Sequence, residues 1–123
     1  MIKVERIYQT RPKHSAYHIL VDGIWPRGIK KQDPRVDEWF KQLAPSRELR
    51  KWFAHDPEKW GNFQYFYRRE LEGNKDMIRK LLELEQQHGE ITLIYSAKDE
   101  KHNQALVLKE FLEEQRARQT DSK

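Results

Sequence analysis

Polar residues that could do chemistry follow the apolar run Ile91–Tyr95. They are Ser96, Lys98, Asp99, His102 and Asn103. In the first turn of a helix, Asp99 and His102 would face each other and could form a carboxylate-oriented general base. Ser96 and Lys98, with the free N–H groups of that helix start, could hold a phosphate or a carboxylate. The structural alternative is that Asp99 caps the helix and that His102 is an exposed helical histidine.

A second candidate stretch is the loop Asp22–Gly28, which contains two glycines and one proline. Asp22 ends an apolar strand, where a carboxylate must be paired or belong to a ligand site. Arg27 lies between Pro26 and Gly28 and could grip an anion with two parallel N–H groups. The alternative is that Asp22 and Arg27 pair with each other and only fix the loop. The residues leave both interpretations open.

A third stretch, Arg47–Asp56, combines basic residues with an aromatic one. Arg50 and Lys51 precede Trp52 and could bind a phosphate beside a stacked base. The alternative is that Trp52 faces the core and that the charges form a solvated face. His55 is expected in a linker between helices, and Asp56 is explained as a helix cap.

Metal and cofactor sites are not expected from the sequence. The five histidines show no paired ligand spacing beyond His14 and His18. Those two flank the start of a strand, so we expect their side chains to lie apart. No P-loop, dinucleotide fingerprint or esterase turn is present in the sequence.

Apolar patterns predict the strands that position these residues. We expect strands over Ile2–Tyr8, Tyr17–Asp22 and Ile91–Tyr95, the last buried on both faces. The link between the first two strands is short for a parallel crossover. Those strands are therefore either a hairpin or non-neighbours. Ligands of an α/β protein tend to bind at the carboxyl ends of such strands.

Helical spacing and capping residues predict five helices, over residues 33–44, 48–53, 56–73, 75–87 and 101–118. The first is expected to start at Asp33-Pro34 and to carry one apolar face, made of Val36, Trp39, Phe40 and Leu43. The predicted fold class is α/β. We expect a single small domain over residues 1–118, with a few-stranded, largely parallel sheet covered by about five helices, and a disordered tail over 119–123.

Composition bounds the class of protein. The 123 residues are 37% hydrophobic and 36% charged, which favours one globular domain. Cysteine is absent, so disulfide and thiolate sites are excluded. The charged N-terminus and the lack of an apolar run near roughly 18 residues predict a cytoplasmic protein with no membrane partner. The net charge is +4, but 24 basic and 20 acidic residues are intermixed, which favours a mixed surface over a polyanion surface.

Several motifs resemble those of the YeaO-like proteins, a bacterial family built on a domain of unknown function. These motifs are Val21–Gly28, Leu43–Ser46, Leu49–Phe53, His55–Pro57, Tyr95–Asp99 and His102-Asn103. The resemblance covers nearly the whole chain. It implies a small cytoplasmic α/β protein and brings no established activity with it.

The motif residues of that family correspond here to Asp22, Trp25, Arg27, Arg50, Trp52, His55, Asp56, Tyr95, Asp99, His102 and Asn103. One position departs from the pattern. The family usually has an Arg directly after the Asp of the second-strand motif, and this chain has Gly23. If that Arg binds an anion or acts in catalysis, Arg27 or Arg50 would have to serve here.

The leading functional hypothesis is a small-molecule-binding protein, which would be of the hydrolase or transferase type if it is an enzyme. Its ligand would be an anionic or nucleotide-like molecule at the carboxyl ends of the strands Tyr17–Asp22 and Ile91–Tyr95. The expected acid–base residues are Asp22, His55, Asp99 and His102. The expected ligand-binding residues are Trp25, Arg27, Arg50, Tyr95, Ser96 and Asn103. No cofactor and no metal are expected.

The alternative is a non-catalytic nucleic-acid-binding module. It rests on a sequence pI of about 9.3 and on the basic–aromatic neighbours Arg50-Lys51-Trp52 and Tyr67-Arg68-Arg69. A third possibility is an interaction protein whose aromatic face docks a partner or a second copy. The oligomeric state does not follow from the sequence.

Overall fold

The computed structural model describes the backbone of residues 1–121 and the side chains of residues 1–119. The strands are β1 (Ile2–Arg6), β2 (Tyr17–Leu20), β3 (Glu38–Trp39) and β4 (Ile91–Tyr95). The α-helices are α1 (Arg47–Phe53), α2 (Trp60–Glu72), α3 (Lys75–His88) and α4 (Gln104–Asp121). Short 3-10 helices cover Ile7–Gln9, Lys41–Leu43 and Pro57–Lys59. In the described part of the chain, no helix is long and apolar enough to cross a membrane.

The four strands form one parallel sheet in the order β1-β4-β2-β3. Ile91 of β4 lies opposite Ile2 of β1 on one side and opposite Tyr17 of β2 on the other. The predicted α/β class with a largely parallel sheet is therefore confirmed. The first two strands are non-neighbours, because β4 is inserted between them.

Both faces of the sheet are covered, and all five residues of β4 are buried. Side chains alternate between the faces, so Ile19 and Leu93 join the main core beneath the helices. Leu20 and Ile94 point to the other face, where they form a smaller cluster. Residues from the first 3-10 helix and from the segment after β2 complete that cluster; they are Ile7, Trp25, Ile29, Val36 and Trp39.

The helix predicted over residues 33–44 is wrong. The chain there forms β3 and a 3-10 helix, because its apolar residues are divided between the two faces of the sheet. Val36 and Trp39 pack in the smaller cluster, whereas Phe40 and Leu43 lie in the main core. The carboxylate of Asp33 binds the guanidinium and backbone N–H of Arg35.

The other four predicted helices are present with shifted ends. Ser46 caps α1, because its Oγ accepts a hydrogen bond from the N–H of Leu49 at 3.2 Å. α4 begins at Gln104, since Oδ1 of Asn103 accepts from the N–H of Leu106 at 3.2 Å. The predicted disordered tail over 119–123 overlaps the last turn of α4, and residues 122 and 123 lie outside the described residues.

The expectation that His14 and His18 lie apart is also wrong. Their rings are stacked, with centroids 3.4 Å apart and planes 9° from parallel. Nδ1 of His14 contacts the carbonyl oxygen of Ala16 at 2.9 Å, and its Nε2 contacts that of Pro34 at 3.0 Å. Carbonyl oxygens only accept hydrogen bonds, so both contacts are satisfied only when His14 carries two N–H groups and a positive charge. No group of three or more metal-ligating side chains occurs among the described residues.

The environments of the two rings move their pKa values in opposite directions. Burial opposes the charge on His14, but the carbonyls of Pro34 and Ala16, with Asp37 and Glu5, outweigh it and raise the pKa of His14. Burial lowers the pKa of His18, which is also reduced by the charge on His14. The carbonyl of Arg35 offsets part of this reduction.

We expect an NMR titration to find the pKa of His14 above 6.5 and that of His18 below it. The contribution of His14 to stability is then present below pH 6.5 and lost as the pH rises through its folded pKa. The contribution of His18 has the opposite pH dependence: it is present above about pH 6.5, where His18 is neutral, and is lost as the pH falls through the lowered folded pKa. His14→Gln removes the neighbouring charge and should raise the pKa of His18. An unchanged His18 titration in this variant would contradict the coupling.

Candidate functional site

The carboxyl ends of β2 and β4 lie side by side, because these strands pair in parallel. Asp22 follows β2 after one intervening residue, and Ser96 follows β4 directly. The edge of the sheet therefore gathers the polar residues that follow both strands, as expected for a ligand site in an α/β fold. These residues separate into a buried inner cluster and a solvent-open outer cleft.

The inner cluster surrounds Asp22, which is 7% exposed. Its Oδ1 accepts a hydrogen bond from Nε2 of Gln104 at 2.7 Å. Burial raises the pKa of Asp22, and Ser96, Gln104 and Arg50 offset part of that rise. Among the described residues, Oδ2 of Asp22 and Nε of Arg50 are buried without a hydrogen-bond partner. The predicted alternative in which Asp22 pairs with Arg27 is not observed.

Gly23 leaves the space that Arg50 occupies beside this cluster. A Cβ atom on residue 23 would clash with Nη1 and Cζ of the Arg50 guanidinium. The lack of a side chain at this position therefore allows Arg50 to lie close to the Asp22 carboxylate. The sequence had marked Arg50 as a ligand-binding residue, and the fold makes it a charge partner of a buried acid.

The outer cleft has a volume of about 540 Å³. Its lining residues are Arg6, Tyr8, Ile24, Trp25, Pro26, Arg27, Ser96 and Lys98. Three of them are cations and none is a carboxylate. Within the described residues, the side chains of Arg27 and Lys98 form no hydrogen bond or ion pair. The cleft therefore presents positive charge that the protein itself does not neutralise.

Tyr8 holds the two arginines of the outer cleft. The guanidinium of Arg6 lies 4.8 Å from the centroid of the Tyr8 ring. Nε of Arg6 also donates to the carbonyl oxygens of Ser96 at 3.3 Å and Ala97 at 3.0 Å. The Tyr8 hydroxyl donates to the carbonyl oxygen of Arg27 at 2.7 Å. One side chain thus fixes a guanidinium on one side and the backbone of Arg27 on the other.

Trp25 forms part of the cleft wall and is itself fixed. Its indole N–H donates to the carbonyl oxygen of Ile29 at 2.7 Å. Its ring contacts Trp39 edge-on at a centroid distance of 5.3 Å. Gly28 adopts a φ of +81°, which lets the loop close back on itself between Trp25 and Ile29. The position of the Trp25 ring is therefore set by contacts within the protein.

Asp99 and His102 form the predicted pair. Oδ2 of Asp99 lies 2.8 Å from Nδ1 of His102, and the His102 ring packs edge-on against Trp60. Oδ1 of Asp99 accepts from the N–H groups of Lys101 and His102, so Asp99 caps the turn before α4 rather than α4 itself. The Lys101 N–H first, and then His102, lower the pKa of Asp99. This pair does not line the outer cleft.

The remaining predicted site residues lie away from the outer cleft. Tyr95 is 3% exposed and Asn103 is 2% exposed, and Oδ1 of Asn103 caps α4. Asp56, which was predicted as a helix cap and not as a site residue, caps the 3-10 helix Pro57–Lys59 through the N–H of Glu58 at 3.0 Å. His55 is exposed, with a left-handed φ of 57°. Of the ten predicted site residues, Trp25, Arg27 and Ser96 line the cleft.

Sequence reasoning missed Arg6 and Tyr8. Both belong to the stretch that was assigned to the first strand, where nothing linked them to the loops after the other strands. Arg6 reaches the site because it lies opposite Tyr95 in the parallel β1–β4 pair. A basic residue at the carboxyl end of a strand was the available signal, but it has meaning only once the strand order is known.

Comparison with known proteins identifies the family. A family model described as the inactive DUF488-N3 subclade matches residues 1–123. The chain belongs to the DUF488 family. It is 40% identical to the Escherichia coli K12 protein YeaO over 111 residues, which covers 90% of this chain and 96% of YeaO. The predicted resemblance to the YeaO-like proteins is thus confirmed.

Two further relatives come from mycobacteria. The Mycobacterium bovis protein Mb3100c and the Mycobacterium tuberculosis protein Rv3073c are each 42% identical over 82 residues. Each match covers 65% of this chain and 70% of the relative. No solved structure matches the chain.

The contact between Gly23 and Arg50 can be tested with a double-mutant cycle. Gly23→Ala should displace the Arg50 guanidinium and destabilise the protein, because Asp22 loses part of its charge compensation. In an Arg50→Ala background the same substitution should cost less, with a coupling of about 0.5–3 kcal/mol. Denaturant unfolding of the four proteins measures the cycle. Additive costs would show that Arg50 does not occupy this space.

Proposed function

We propose that this chain is a non-catalytic binding domain for a small phosphate-bearing, nucleotide-like anion, which binds in the outer cleft. The observation that carries the proposal is the combination of three cations, Arg6, Arg27 and Lys98, with no carboxylate among the lining residues. Arginine recognises phosphate oxygens through its planar set of N–H donors, and lysine adds a mobile point charge. The Arg6 guanidinium is already held by its contacts with Tyr8 and with two backbone carbonyls, so Arg6 would lose little side-chain conformational entropy on binding.

The size of the cleft supports a ligand larger than an inorganic ion. Its volume of about 540 Å³ lies inside the usual range for small-molecule sites, roughly 300–1,000 Å³. Ile24 is 72% exposed and Tyr8 is 42% exposed, so apolar and aromatic surface is available beside the cations. A ligand that carries both a ring and a phosphate would cover both kinds of surface.

Two observations favour binding over catalysis. The predicted acid–base residues, Asp22, His55, Asp99 and His102, do not line the outer cleft. The description of the matching family model also names the subclade inactive. The Asp99–His102 pair favours a hydrolase or transferase instead, because its geometry suits a general base. The cytoplasmic location predicted from the sequence stays a prediction.

Arg27→Ala provides the direct test. Pyrophosphate and adenosine 5′-monophosphate should raise the thermal midpoint of the wild-type protein at low salt, whereas adenosine should not. Calorimetry should show that Arg27→Ala weakens pyrophosphate binding by about 10-fold or more, since charge-assisted hydrogen bonds contribute roughly 1.5–3 kcal/mol. Arg79→Ala, on the exposed surface of α3, removes the same charge away from the cleft and serves as the control.

Two results would contradict the proposal. One is the absence of any anion-induced shift at low salt, and the other is an equal loss of affinity in Arg27→Ala and Arg79→Ala. Hydrolysis or transfer of a phosphate ester that disappears in His102→Gln would instead assign a catalytic role to the Asp99–His102 pair.

Tyr8 provides a second test, because it contacts both arginines of the outer cleft. Tyr8→Phe removes the hydroxyl bonded to the Arg27 backbone but keeps a ring beneath Arg6. Tyr8→Leu removes both contacts. We expect pyrophosphate affinity to fall in the order wild type, Tyr8→Phe, Tyr8→Leu, while circular dichroism shows the same folded state. Equal affinities in the three proteins would rule out a positioning role for Tyr8.

A further inference from the structure

A second surface, on α1 and α2, exposes three aromatic side chains, of which Phe66 contacts the other two. Trp52 is 39% exposed, Tyr65 57% and Phe66 46%, which corrects the expectation that Trp52 faces the core. The centroids of Trp52 and Phe66 are 5.7 Å apart, and those of Tyr65 and Phe66 are 5.5 Å apart. Other aromatic residues on the same two helices, Phe53 and Phe63 among them, fill the core. The three exposed rings are therefore not needed to complete the core.

Cations lie over two of these exposed rings. The ammonium of Lys59 is 5.3 Å from the centroid of Trp52 and donates to the Trp52 carbonyl oxygen at 2.8 Å. The guanidinium of Arg69 is 5.9 Å from the centroid of Tyr65 and donates to its hydroxyl at 3.3 Å. Neither cation has an acidic partner within the described residues. We call Trp52, Lys59, Tyr65, Phe66 and Arg69 the aromatic–basic face.

We propose that the aromatic–basic face binds single-stranded nucleic acid. Bases stack on aromatic side chains without regard to sequence, and neighbouring cations neutralise the phosphates between them. Lys59 lies over Trp52 and Arg69 lies over Tyr65, so a strand that contacts these rings would also meet the two cations. This surface is separate from the outer cleft, and the proposal goes beyond the small-molecule function of that cleft.

The two cations favour nucleic acid over two other partners for this face, an apolar protein and a second copy of the chain. A purely apolar partner would bury Lys59 and Arg69 without a counter-charge, which is costly. A second copy docked through the same face would bring like charges together, because a two-fold interface sets each patch against itself. Of the sequence neighbours that first suggested nucleic acid, Trp52 and Arg69 belong to this face, whereas Tyr67 is fully buried and Arg68 is bonded to Glu114.

The test is fluorescence anisotropy of the full chain with a labelled oligothymidylate of about 12 nucleotides, within the range of site sizes for such surfaces. We expect binding at low salt that weakens steeply as salt is added. Trp52→Ala and Phe66→Ala should each weaken it by about 5- to 100-fold, because stacking on one ring contributes on that scale. Arg69→Ala should weaken binding and reduce the salt slope by about one.

Two control variants test whether oligonucleotide binding depends on the aromatic–basic face, on surface charge in general or on the outer cleft. Arg79→Ala removes an exposed helical arginine elsewhere and should change the affinity less than Arg69→Ala. Arg27→Ala tests the outer cleft and should leave oligonucleotide binding in place. Thermal midpoints of all variants establish that they are folded. If Trp52→Ala does not fold, the single variants Phe66→Ala and Arg69→Ala still test the proposal.

Three results would overturn the inference. The first is no binding of the oligonucleotide at low salt. The second is binding that survives Trp52→Ala and Phe66→Ala but is lost in Arg27→Ala, which would place the strand in the outer cleft. The third is Trp52-dependent binding of an acidic peptide with no binding of the oligonucleotide, which would assign the face to an acidic protein partner. The small-molecule proposal is tested separately, because it depends on pyrophosphate binding in the outer cleft and not on the oligonucleotide.

Discussion

β4 is the strand on which the arrangement of this molecule depends, because it pairs with β1 on one side and with β2 on the other. All of its residues are buried, so both of its faces must be covered. Parallel pairing then places the carboxyl ends of three strands at one edge of the sheet. Arg6, Asp22 and Ser96 come from distant parts of the chain and meet at that edge for this reason alone.

The charged side chains at that edge differ in burial, and burial determines whether a charge needs a partner within the protein. Asp22 is almost fully buried, so its carboxylate depends on compensation from within the protein. Gln104 donates to Oδ1, and the charge of Arg50 offsets part of the cost of burial. Arg27 and Lys98 are at the solvent-open cleft, and their side chains form no hydrogen bond or ion pair among the described residues. The carboxylate of the inner cluster is thus partly compensated from within the protein, while the cations of the outer cleft face solvent. The two sets are neighbours in space but differ in burial.

Local chemistry determined much of the secondary structure and one candidate pair. The caps at Ser46 and Asp56 lie within three residues of the N–H groups they bind, so the sequence was enough to predict them. Asp99 and His102 meet because residues three apart in a turn face each other. β4 was predicted with its observed bounds, since a short apolar run flanked by polar residues has few alternatives. These predictions succeeded because each interaction is confined to one short stretch.

Long-range contacts decided the rest. Residues 33–44 carry a helical apolar pattern, yet they form β3 and a 3-10 helix because their apolar side chains are shared between two faces of the sheet. His14 and His18 stack because the loop before β2 folds back towards Pro34. Arg6 reaches the cleft only because β1 pairs with β4. The sequence by itself determined the elements that local contacts specify, such as α1 with its cap at Ser46. Strand order and the structure of residues 33–44 depend on residues far apart in the chain, so tertiary packing settled them.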